Sequence, residues 1–80
     1  MDIQHLVKMA NQIGQFFASY PDHDEARRSI GEHLKKFWAP AMRKALAEHL
    51  ASTGEQSGLE PLVAEAVRAS ISDQIGAGAS

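Results

Sequence analysis

Eighty residues allow one domain, and a chain this short buries only roughly 60–65% of the surface it exposes when unfolded, so its core alone is marginal. It contains no cysteine, which excludes disulfides, thiolate metal sites and iron–sulfur ligation. Its formal net charge of −2 argues against a general affinity for nucleic acid or anionic lipid. A protein partner is then the remaining way to stabilise so small a fold. No apolar run approaches the ~20 residues of a membrane span. The start Met1-Asp2-Ile3-Gln4-His5 lacks the basic and small-residue features of a signal peptide, so a cytoplasmic location is expected.

The first helix is expected over residues 2–18. At about 100° per residue, Ile3, Leu6, Val7, Met9, Ala10, Ile13, Phe16, Phe17 and Tyr20 share one arc. That arc covers about half the circumference, wider than the ~100° stripe of an ordinary surface helix. The opposite side is mostly amides, with Gln4, Asn11, Gln12 and Gln15 beside Lys8. Such a helix is poor in surface charge, and its amide side is a further candidate for coverage.

Tyr20-Pro21-Asp22 then forms a turn, with Asp22 as N-cap and Glu25 three residues on in a capping-box-like pattern. The acids Asp22, Asp24 and Glu25 suit the positive end of the helix dipole and lack the ligand series and glycine of a calcium loop. The second helix places Ala26, Ile30, Leu34 and Phe37 on one face, with Trp38 at its edge over Gly31 and near Arg27. Gly31 makes room there for the indole or for another helix.

Phe37-Trp38-Ala39-Pro40-Ala41-Met42-Arg43 is the most informative stretch. Proline lacks an N–H and fits the first turn of a helix, so the second helix stops near Trp38 and a third starts at Pro40. Trp, Met and Arg are enriched where proteins bind proteins, which makes Phe37, Trp38, Pro40, Met42 and Arg43 the candidate partner interface. The alternative for the same residues is intramolecular: Phe37 and Trp38 complete the core, and Arg43 pairs with a nearby acid.

The third helix turns Met42, Ala45, Leu46, His49 and Leu50 inward. Residues 52–58 form a loop in which Gly54 suits the position just past the helix. A fourth helix begins near Glu60-Pro61 with Leu59, Leu62, Val63, Ala66, Val67 and Ile71 as its stripe. Residues 73–80 are glycine-rich and read as a flexible tail, leaving 1–72 as a single helical domain. Short loops joining such helices imply an all-α fold, a small bundle of three to four short amphipathic helices.

Chemistry is hard to find along this chain. His33 and His49 lie on apolar helix faces, but a zinc site takes three or four ligands, and buried or half-buried histidines with one hydrogen bond each are expected instead. His5 and His23 are expected to be exposed. No serine lies in a nucleophile-elbow motif, and Glu32 and Glu48 read as outward charges rather than an acid–base pair. Six of the eight basic residues (Arg27, Arg28, Lys35, Lys36, Arg43, Lys44) lie between positions 27 and 44, against the single acid Glu32. They form either a solvated face or a dock for an acidic partner. A helix-turn-helix is the rival, opposed by a short glycine-free turn and few base-reading side chains between 42 and 50.

Leu6-Val7-Lys8-Met9-Ala10-Asn11-Gln12-Ile13 with Phe16-Phe17, then Pro21-Asp22-His23, His33-Leu34 and Phe37-Trp38 with Pro40 and Met42-Arg43, resembles the delta subunit of NAD-dependent formate dehydrogenase. The likeness covers positions 3 to 71; the loop 52–58 carries no part of it. It implies a holoenzyme that oxidises formate and reduces NAD, whose large subunits carry the molybdenum or tungsten pterin, iron–sulfur clusters and FMN. It also implies that this chain holds no cofactor and is a small subunit with no active site of its own. Its expected partner is the catalytic alpha subunit, and through it the rest of the complex, in an assembly or stabilising role. A dissociable cofactor-maturation chaperone and a homodimer of the isolated chain are the other readings the resemblance and the wide apolar arc leave open.

Overall fold

Asp2 opens the fold: its carboxylate accepts the Gln4 amide at 3.0 Å and caps α1, Ile3–Phe17. Asp22 does the same for α2, His23–Phe37, accepting the amides of Asp24 and Glu25 at 2.9 and 3.4 Å. Among the described residues only this half of the capping box forms; Glu25 contributes its backbone N–H. Pro40 occupies the first turn of α3, Pro40–Thr53, where its missing donor is of no consequence. Pro61 begins α4, Pro61–Ala79, after a 3₁₀ turn at Gly54–Gln56. The computed structural model describes the backbone of residues 2–79 and the side chains of residues 2–70. The expected place of Ile71 in the α4 stripe and the tail expected at 73–80 lie outside those side chains.

Four helices and no strand among the described residues make this a small all-α bundle. Its radius of gyration, 11.8 Å, matches the roughly 11.6 Å that a compact chain of this length takes, so no element stands apart. The most extensive pairing is α2 against α4, and α1 touches the other three helices. The core takes Leu6, Val7 and Ala10 from α1, Ala26, Ile30 and Leu34 from α2, Leu46 and Leu50 from α3, and Val63, Ala66 and Val67 from α4. Ile30, Leu46 and Val63 are wholly enclosed. Each such aliphatic side chain contributes about 1.5–3 kcal/mol relative to exposure.

Two glycines meet α4 differently. At Gly14, buried in α1, an added Cβ would collide with Val63 Cγ2, so the absence of a side chain sets how closely α1 crosses α4. At Gly31 a Cβ would sit 3.9 Å from the Ala66 carbonyl oxygen, an ordinary contact. The neighbour at Gly31 is therefore α4, and the indole of Trp38 does not reach it. The chain leaves helical geometry at Trp38 (φ −91°, ψ 140°), where α2 ends.

The link into α4 is fastened by side chains. The amide of Asn11 donates to the Gly58 carbonyl at 2.9 Å and accepts the Glu60 N–H at 2.9 Å. His49 Nε2 lies 2.8 Å from the Ser57 carbonyl oxygen, and the buried Ser57 hydroxyl accepts the Leu59 N–H at 3.1 Å. Gly54 (φ 57°) and Gly58 (φ 89°) take the left-handed turns that this route needs. Part of the amide side of α1 is thus spent inside the fold, holding residues 58–60.

Candidate partner-binding site

The wide apolar arc of α1 is only half used by the core. Leu6, Val7, Ala10 and Gly14 are buried, whereas Met9, Ile13 and Phe17 are half-buried and Phe16 is 69% exposed. The uncovered half forms one wall of an open groove of about 610 Å³. The end of α2 and the start of α3 supply the opposite wall through His33, Phe37, Trp38 and Met42. No carboxylate lines it; Gln12 and His33 are its polar members.

Edge-to-face rings hold the groove's rim together. Phe16 and Phe17 stand 5.0 Å apart at 88°, and Phe17 and Tyr20 5.3 Å apart at 77°. His33 bridges the helices, 6.2 Å from Phe17 and 4.7 Å from Phe37. His33 is therefore half-buried in an aromatic cluster; the single hydrogen bond expected of it is not found among the described residues. His49 has its one bond, to Ser57. His5 and His23 are exposed, and His23 Nε2 pairs with Glu65 at 2.8 Å, tying α2 to α4.

The five residues singled out at the joint separate into two groups. The helical period puts Phe37 on the inward face of α2, but it is 70% exposed. It is the last residue of α2 and lines the groove. Trp38 is the one that goes inward, 6% exposed, and Met42 is half-buried beside it. Pro40 and Arg43 lie round the corner of α3, in a second depression with Leu34, Leu46, Ala47 and Val67. Arg43 has no ion-pair partner among the described residues, and its Nε is buried without a hydrogen bond.

A model of the family described as the NADH-dependent formate dehydrogenase delta subunit FdsD matches residues 5–67. The chain belongs to that family. No curated protein and no solved structure matches it. The matched stretch of this delta subunit holds every groove residue, from Met9 to Met42, and the turn that carries Asn11's partners.

Three features bear on what a delta subunit of this shape can do chemically. Among the described residues, no three His, Asp or Glu side chains are grouped to hold a metal. None of the described helices is long and apolar enough to cross a membrane. The groove offers apolar and aromatic surface with two polar side chains, which suits shape recognition of another apolar surface. Of the joint residues, Phe37, Trp38 and Met42 line the groove; its α1 wall, with Met9, Gln12, Ile13, Phe16 and Phe17, lay outside the residues singled out from the sequence. The signal in the sequence was the width of the α1 arc: Met9, Ile13 and Phe17 pack on the edge of the core, and Phe16 is left exposed.

Proposed function

We propose that this delta subunit is a non-catalytic component that docks on the catalytic alpha subunit of formate dehydrogenase and helps to assemble or stabilise the complex in the cytoplasm. The observation that carries the reading is the groove with Phe16 and Phe37 at its rim, both more than two-thirds exposed. Scattered exposed apolar residues are ordinary; two phenylalanines on one open apolar groove mark an interaction surface. Burying such aromatic anchors accounts for most of the energy in a typical interface. Phe37, Trp38 and Met42 then contact the partner through the groove, and Pro40 with Arg43 provides a second contact beside it.

The test is co-purification of the large subunits with tagged delta variants. Phe16→Ser and Phe37→Ser should keep the helical circular-dichroism signal and lose the partner at least ten-fold. Arg43→Glu should weaken the complex with the helices intact; unchanged recovery removes Arg43 from the contact. The isolated chain should not oxidise formate, and turnover by it alone would overturn the reading. Its presence at fixed stoichiometry in purified active enzyme identifies a subunit; its departure after maturation identifies a chaperone.

A further inference from the structure

The groove also indicates what kind of segment fills it, given that it is the docking site proposed above. We infer that its occupant is an amphipathic helix with an apolar ridge flanked on both sides by carboxylates. The all-helical fold has no strand edge among the described residues, so an extended peptide finds no backbone ladder to join. The long wall is itself a helix seam. Met9, Ile13 and Phe16 follow at i, i+4 and i+7, the spacing with which one helix presents a ridge to another. From Met9 to Phe17 that seam is roughly 12 Å long, two turns of helix at about 1.5 Å per residue.

Charge specifies the flanks. Gln12 and His33 line the groove, and each has a lysine one helical turn away outside the lining: Lys8 before Gln12 on α1 and Lys36 after His33 on α2. Both are exposed, and neither has an ion-pair partner among the described residues, where the pairs are His23–Glu65 and Arg27–Asp24. Glu32 lies next to His33 in sequence and one turn before Lys36, and no ion pair joins Glu32 to Lys36. A chain of net charge −2 thus carries a lysine without an ion pair among the described residues one turn from a groove residue on each of the two walls' helices. A helix with leucine-like residues on its ridge and Asp or Glu on both shoulders satisfies the trough and both lysines at once.

The assay uses the reconstituted complex with full-length subunits. Lys8→Glu/Lys36→Glu, whose sites are exposed, should fold normally by circular dichroism and bind the large subunits at least ten-fold more weakly at low salt. The gap should shrink as salt screens the rim charges. A photo-reactive benzoylphenylalanine in place of Phe37 should cross-link to an acidic helical segment of a large subunit. Undiminished binding by the double variant, or a cross-link to a basic segment or to a second copy of this chain, overturns the inference. If Phe37→Ser still abolishes co-purification in that case, the docking reading stands without it. If Phe37→Ser is silent as well, both fall.

Discussion

Gly14→Ala tests the packing at its tightest point. The new methyl would collide with Val63 Cγ2, and Val63 has no exposed surface into which to retreat. Valine in a helix has one strongly preferred rotamer, so relief must come from a shift of α1 against α4. Overpacking of this kind costs about 1–3 kcal/mol. Replacing glycine by alanine inside a helix returns roughly 0.5–1 kcal/mol. The net is a loss of up to about 2.5 kcal/mol, a little over 1 kcal/mol at the middle of the two ranges. A domain of this size melts about 4–8 °C lower for each kcal/mol lost, which sets the scale of the effect. Gly31→Ala is the control, since its methyl meets only the Ala66 carbonyl oxygen at 3.9 Å. It should raise stability by roughly 0.5–1 kcal/mol, the helix term alone. Urea and thermal melts followed by circular dichroism report both. In Gly14→Ala/Val63→Ala the added methyl occupies space the valine vacates, so the pair should be less damaging than the sum by about 1 kcal/mol. A Gly14→Ala chain as stable as the parent would refute the close crossing of α1 and α4.

Asn11→Ala removes both bonds to the link and should cost about 1–2 kcal/mol, at about 1 kcal/mol per bond, with faster hydrogen exchange at the Glu60 amide as the local readout. Asp22→Ala should cost about 1 kcal/mol in a urea melt, through loss of the α2 cap. Trp38→Ala and Phe37→Ala separate core from surface: the first should cost about 3–5 kcal/mol, while the second, at an exposed ring, should stay within about 0.5 kcal/mol. Equal effects on the melting temperature would show that the two rings have been assigned to the wrong sides.

Helix boundaries were legible because this chain marks them chemically. Pro40 and Pro61 sit in first turns, Asp22 caps α2 as its position predicts, and Gly54 takes positive φ after Thr53. The core was largely legible too, since Ile30, Leu34, Leu46, Leu50 and Val63 follow the helical period. Three things were not. Phe37 continues the α2 period yet is exposed, because periodicity says which face a residue shares and not whether another element packs there. Gly14 is one small residue inside an apolar arc, and its constraint appears only when Val63, 49 positions on, is brought against it. Asn11 reads as solvent-facing amide until the 58–60 link is laid over it. The last two are long-range pairings that local pattern does not encode.

The position of Trp38 has one practical consequence. It is the sole indole in the chain, sealed on its inner side by the core and forming part of the groove on its outer side. Whatever settles over the trough changes the polarity that ring senses, so its emission serves as a built-in gauge of occupancy, without a label attached to the surface under study.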